Sequence, residues 1–230
     1  MKNSLEVCLI ALALATSASP SASAQTPAMQ RGVSVQLALT GNATPMPEAD
    51  DGNAWIVTVT ADRRIYFGTD PVAAASLADK MKSRPRKREQ KLYVKADARA
   101  PFANVERVLE AGSEVWFEAA VLLMAQPVAP KSGTVVPPKG LEVLIGPTLP
   151  AAAVATVVQL LNPEHQGPLL RVNGDEIPWS ALEGTLRRHF QKGDEKVILL
   201  KADEQLPFGQ VVQAIDTGRA TGAKVVLPTL

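Results

Sequence analysis

At 230 residues the chain is long enough for one large domain or two small ones. An apolar fraction of 46% with 20% charged residues is ordinary for a globular protein, and a net charge of +1 gives no general reason to bind nucleic acid. The two histidines, His165 and His189, lack metal-ligand spacing, and no Gly-x-Ser-x-Gly, HExxH or phosphate-loop motif occurs. No cofactor, no metal and no catalysis are expected; an enzyme would need a deep pocket gathering either histidine with carboxylates.

The N-terminus has a basic Lys2, an apolar stretch from Val7 to Ala15, and Ala22-Ser23-Ala24 before Gln25. This is the layout of a secretory signal peptide over residues 1–24, because Thr16, Ser17, Ser19 and Pro20 end the apolar run well short of the ~20 residues a membrane span needs. Cys8, the lone cysteine, lies inside it, so the exported protein would have no disulfide and no thiol chemistry. Residues 41–53, rich in Pro, Asp and Asn, read as a long loop. Ile56-Val57-Thr58-Val59-Thr60 is β-branched and reads as a strand, with Ile65-Tyr66-Phe67 returning as a hairpin. Asp70-Pro71 is read as the N-cap and first residue of a helix whose buried stripe is Ala74, Leu77, Ala78 and Met81. Leu92-Tyr93-Val94 is a strand, Phe102, Val105, Val108 and Leu109 keep helical spacing after Pro101, and residues 119–123 make a closing strand.

The same order then recurs. Lys95-Ala96-Asp97 returns as Lys201-Ala202-Asp203, 106 positions later; without a gap Pro101-Phe102 meets Pro207-Phe208, Val105 meets Val211, and Gly112 meets Gly218. An ungapped repeat of this kind marks a duplicated unit. In the second copy Leu169–Val172, Asn173-Gly174 and Glu176-Ile177 read as the hairpin, Asn-Gly favouring a type I′ turn. A helix with stripe Leu182, Leu186 and Phe190 is expected, with Ser180 and Glu183 as a capping box and Gly193 at its end. The strand Val197–Leu200, a helix carrying Phe208, Val211, Val212 and Ile215, and a strand over residues 224–227 complete it. Residues 126–140, with four prolines and two glycines, read as a partly stiff linker. Residues 151–161 are apolar and read as an extra helix or a cover for the second sheet.

Two helices that bury their stripes on one sheet give an α+β, two-layer module of small mixed sheet. The expected division is therefore 1–24 signal peptide, 25–126 first module, 127–139 linker and 140–230 second module.

The runs from Leu92 to Val105 and from Val197 to Val212 resemble the periplasmic domain of the ExbD/TolR family, as does the ending through Arg219 and Gly222 to Leu227. Gly32 to Leu37 is similar to the stretch that follows the family's membrane helix. Two features depart: no such helix with an aspartate for the proton pathway is evident, and the module occurs twice. The resemblance implies an exported, periplasmic accessory protein of a TonB- or Tol-type biopolymer-transport motor, with ExbB/TolQ-like or TonB/TolA-like partners. It also implies dimerisation through the module, which a tandem pair could satisfy within one chain. The alternative is a peptidoglycan- or envelope-polymer-binding module independent of a motor.

The candidate contact residues come from three features. Lys82, Arg84, Arg86, Lys87 and Arg88 belong to a cationic run from Lys80 to Lys91 that reads as an exposed insertion of the first copy, because Ile65 to Lys95 spans 30 positions and Ile177 to Lys201 spans 24. Such a run suits anionic lipid or acidic polymers. Asp97 and Asp203 recur at strand ends, where Asp also accepts backbone N–H bonds in turns. Trp116 follows a turn and would suit a partner interface, although burial is the default for it as for Trp55 and Trp179. Phe102 and Phe208 are expected in the core.

Overall fold

A computed structural model describes residues 33–125, 137–146, 155–163, 168–190 and 196–229. The signal-peptide reading, most of the linker, His165 and Gly193 lie outside these residues. The fold is α+β, two similar modules whose strands join in one mixed sheet. In chain order the first half has β1 (Thr44–Pro45), β2 (Trp55–Val59), β3 (Ile65–Phe67), β4 (Asp70–Val72), α1 (Leu77–Lys82), β5 (Leu92–Ala96), α2 (Phe102–Glu114) and β6 (Ala119–Met124). The second has β7 (Lys139–Gly146), β8 (Thr156–Leu161), β9 (Leu169–Val172), β10 (Asp175–Glu176), α3 (Leu182–His189), β11 (Val197–Ala202), α4 (Phe208–Ala220) and β12 (Lys224–Pro228). The sheet order is β10-β9-β8-β11-β12-β7-β6-β5-β2-β3-β4, and β1 pairs with β7.

The registers show which strands correspond. Asp97 N–H donates to Val59 C=O at 2.8 Å, and Asp203 N–H donates to Leu160 C=O at 2.8 Å. Hence β8 is the counterpart of β2 in the second half, and the reading of residues 151–161 as a helix or cover is corrected: Thr156–Leu161 is a strand paired to β11 and β9. Its side chains alternate between buried and half-buried, the period of a strand. The hairpin of the second half therefore begins one strand earlier than the sequence suggested. Leu170 takes the place of Ile65, and the cationic run ceases to be an insertion. Asn173 and Gly174 both have positive φ, 52° and 95°, as a type I′ turn requires.

Both helix starts also differ from expectation. Asp70-Pro71 lies in β4, antiparallel to β3, where an edge position tolerates proline. Ser180 makes no capping hydrogen bond; Glu183 instead holds Arg187 at 2.7 Å on the next turn. Phe102 and Phe208 are buried as expected, 3% and 0% exposed. One apolar core runs through both halves, from Trp55 and Val57 to Val225 and Leu227. Gly112 and Gly218 allow the close approach of α2 and α4 to the sheet: a Cβ would lie 2.6 Å from Leu92 Cδ2 in one and 2.8 Å from Ile198 Cδ1 in the other.

The halves meet about a local two-fold axis. Phe102 N–H donates to Leu206 C=O and Phe208 N–H to Ala100 C=O, each at 2.8 Å. Ala103 N–H donates to Glu204 C=O at 2.9 Å and Gly209 N–H to Ala98 C=O at 2.8 Å. Every donor and acceptor in the first bond of each pair maps onto its counterpart 106 positions away, the reciprocity of an isologous interface. Pro101 faces Pro207 at a non-hydrogen-bonded site of this antiparallel bridge, so neither missing N–H is needed. Strand β7 completes the join, its residues Lys139–Leu144 antiparallel to the whole of β6 and its Leu144–Gly146 end parallel to β12.

Candidate functional site

The cationic run folds back on the aromatic end of the first half. Trp55 packs on Phe67 and Phe117 with ring centroids 5.3 and 5.6 Å apart. The Arg84 guanidinium lies 5.3 Å from the Trp55 ring centre and 5.4 Å from that of Phe67, and donates to the carbonyl of Asn53 at 2.9 Å. Arg86 lies 4.1 Å over Phe117 and donates to the Trp116 carbonyl at 3.3 Å. A guanidinium is planar and weakly hydrated, so it stacks where an ammonium would stay in water. Lys82 is neutralised instead, 3.6 Å from Glu114 and 3.9 Å from Asp79. Lys87 and Arg88 stay exposed beyond this anchored stretch. The loop is thus held at Arg84 and Arg86 and cationic at its tip.

Trp116 stands beside it. It is 85% exposed, a correction to the burial expected of tryptophan. Its backbone has φ +66°, a conformation that suits glycine and is uncommon for a bulky residue. The reason is the end of α2: Trp116 N–H donates to Ser113 C=O at 3.0 Å and Phe117 N–H to Gly112 C=O at 3.0 Å. These are the two bonds of a Schellman ending, whose penultimate position usually holds glycine. In the second half that position is Gly222, with φ +79°. The first half carries an aromatic in the costly conformation and leaves its ring in water. Trp116, Lys82, Arg84, Pro85, Arg86 and Glu114 together line a shallow cleft of ≈ 390 Å³.

Asp97 and Asp203 sit at the opposite ends of β5 and β11 and are not brought to this cleft. The Asp97 side chain is 3% exposed, and accepts from Gln36 N–H at 2.9 Å, Arg99 N–H at 3.0 Å and the Arg99 guanidinium at 2.8 and 2.9 Å. These bonds, led by the guanidinium, hold its carboxyl far below the usual carboxylate range. Asp203 is half-buried and accepts from Gln205 N–H at 2.9 Å.

A second cleft of ≈ 420 Å³ lies on the other flank of the loop, lined by Glu48, Asp51, Lys87, Glu89, Lys91 and Tyr93 among others. Tyr93 and Trp55, each 2% exposed, carry a buried hydroxyl and indole N–H without a partner among the described residues. Burial first, then Glu48, Asp51 and Glu142, pushes the Tyr93 hydroxyl pKa up. The sequence reading missed this cleft. The Asp-rich composition of residues 41–53 was its signal, but the register that brings Tyr93 beneath them was not legible. Among the described residues no cluster of His, Cys, Asp and Glu is placed to hold a metal. His189 Nδ1 lies 2.9 Å from the Thr185 carbonyl, its own helix.

Compared with known families, the description "Biopolymer transport protein ExbD/TolR" matches residues 7–126 and, a second time, residues 113–229. The chain belongs to the ExbD/TolR family. The double match agrees with the tandem copies seen in the fold, and the family assigns the chain to biopolymer transport in an accessory role. No curated protein and no solved structure matches it. Among the described residues of this ExbD/TolR member no helix is long and apolar enough to cross a membrane.

Proposed function

We propose that this chain is a periplasmic, non-enzymatic accessory protein of a TonB- or Tol-type membrane motor, acting by protein–protein contact through the Trp116 face. The observation that carries this reading is Trp116 itself, an 85% exposed aromatic held at φ +66° where the sister module has glycine. Such a conformation costs on the order of 1–3 kcal/mol, and exposed aromatics anchor interfaces. Arg84 and Arg86, fixed over aromatic rings, and Lys82, Lys87 and Arg88 frame that anchor with positive charge. The working division is residues 25–126 and 140–230 as modules joined through 127–139, exported by residues 1–24. The partners are ExbB/TolQ-like or TonB/TolA-like proteins, by family. The docked halves supply internally the pairing that separate copies would otherwise provide.

The test replaces Trp116 with a photo-crosslinking amino acid in cells and identifies the adduct by mass spectrometry. Adducts to motor subunits support the proposal, and their absence with full expression contradicts it. A second reading, binding to peptidoglycan or another envelope polymer, is favoured by the cleft in which the Trp55 and Tyr93 donors lack partners among the described residues. Cosedimentation with purified sacculi, lost in Tyr93→Phe, would favour it over the motor reading. Cosedimentation with anionic vesicles would point to lipid.

A further inference from the structure

The cleft beside Trp116 holds an unmet chemistry of one sign. Two buried side-chain polar atoms in its wall lack a partner among the described residues, the indole Nε1 of Trp55 and Nη1 of Arg86. Both are donors. An indole N–H can only donate, and a guanidinium offers N–H groups with no acceptor. Buried donors of this kind are nearly always paired, with protein, water or ligand. Trp55 also borders the second cleft, but Arg84, Arg86 and Trp116 line this one alone.

The charges point the same way. Lys82 is balanced by Glu114 and Asp79, so Glu114, the one carboxylate in the lining, is already engaged. Arg84 and Arg86 have no ion pair among the described residues, and their hydrogen bonds go to the carbonyls of Asn53, Ala54 and Trp116. Their stacking on Trp55, Phe67 and Phe117 fixes both guanidinium planes without neutralising either. Two positioned cations without a counter-ion are pre-organised for one.

The fold itself does not require this platform. By the strand registers and the repeat, Trp55 corresponds to Thr156, Phe67 to Val172, Trp116 to Gly222 and Phe117 to Ala223. The second half therefore builds the same sheet and the same helix ending with no aromatic at any of the four positions.

We propose that the cleft is a carboxylate-binding site that takes one Asp or Glu side chain of a partner protein between Arg84 and Arg86, with an apolar neighbour of that residue on the Trp116 ring. A guanidinium matches a planar carboxylate in a fork of two parallel bonds. The single charge of a carboxylate also suits a cleft that contains Glu114, whereas a phosphomonoester, at −1.5 to −2, would meet more repulsion there. The proposal rests on the reading that the chain acts by protein contact through the Trp116 face and names the chemistry of that contact.

The experiment titrates the full chain with the peptide acetyl-Gly-Leu-Asp-Leu-Gly-amide and follows the Trp55 indole and arginine Nε–H signals by NMR. Saturable shifts at Trp55, Arg84 and Arg86 are expected, and the same peptide with Asn in place of Asp should lose them. Arg86→Gln should weaken binding about five- to tenfold, the value of one charged hydrogen bond at a half-exposed site. The Asp-against-Asn comparison needs no variant, so it stands even if Arg86→Gln disturbs the loop. Equal binding of the Asn peptide, tighter binding of a phosphoserine peptide or of inorganic phosphate, or shifts confined to Lys87 and Arg88 would each overturn the proposal. Photo-crosslinking from position 116 separates this failure from that of the contact reading. Motor-subunit adducts at undiminished yield in a chain carrying both Arg84→Gln and Arg86→Gln would overturn the carboxylate site and leave the contact standing.

Discussion

The two modules share one backbone plan and differ in what each does at its edges. In the first, the ending of α2 carries Trp116, the loop before β5 is pinned by Arg84 and Arg86, and the fork beyond β5 is filled by the chain's own residues 36–39. In the second, the ending of α4 carries Gly222, and among the described residues no segment like 36–39 lies in the fork beyond β11. Common features such as Gly112 and Gly218 meet a packing demand that both halves have. Differences mark where one half has been released from that demand, and this is where contact function is to be sought.

The largest contrast is expected at the repeated aspartates. Asp97→Asn should cost about 2–3 kcal/mol, because a buried carboxylate with charged hydrogen bonds loses them, while Asp203→Asn should cost less than ~1 kcal/mol. The folded-state pKa of Asp97 is depressed, so its contribution is complete above the unfolded carboxylate value of ~4 and is lost as pH falls below it. Denaturant titrations between about pH 5 and pH 2 should therefore be flatter for Asp97→Asn than for the wild type. Equal losses at the two positions would break the comparison.

Gly112→Val and Gly218→Val should each cost about 2 kcal/mol by overpacking against Leu92 and Ile198. Similar losses by thermal unfolding would sharpen the equivalence of the two cores; a loss in one alone would break it. Asp216→Asn should cost ~1 kcal/mol by weakening the fastening of residues 40–42, whose Gly41 and Asn42 N–H groups donate to its carboxylate, and faster amide exchange at Ala98 and Ala125, which donate to the Gln36 and Ala38 carbonyls, should report it. Unchanged exchange there would show that the segment stays in its fork without that anchor.

Much of this plan was legible because the repeat fixes positions with strict backbone demands. The Lys-Ala-Asp turns and Pro-Phe helix starts recur where an Asp side chain accepts N–H groups and a proline sits without needing its own. The missed elements had signals that pointed elsewhere. Strand β8 lies in an alanine- and valine-rich run whose period is hidden by its fully apolar neighbours, and Asp70-Pro71 has the chemistry of a helix cap while lying on a sheet edge. Trp116 was singled out, but its left-handed backbone was not foreseeable, since that ending normally announces itself by glycine. The stacking of Arg84 and Arg86 depends on the distant Trp55, Phe67 and Phe117, so the run read as solvated charge.

The claim that the first module keeps a strained, exposed aromatic for contact is tested most directly by Trp116→Gly, which gives it the residue of its sister position. The expected result is a gain of about 0.5–1 kcal/mol in unfolding free energy with loss of motor-subunit recovery from detergent-solubilised membranes. A stability loss, or recovery equal to the wild type, would contradict it.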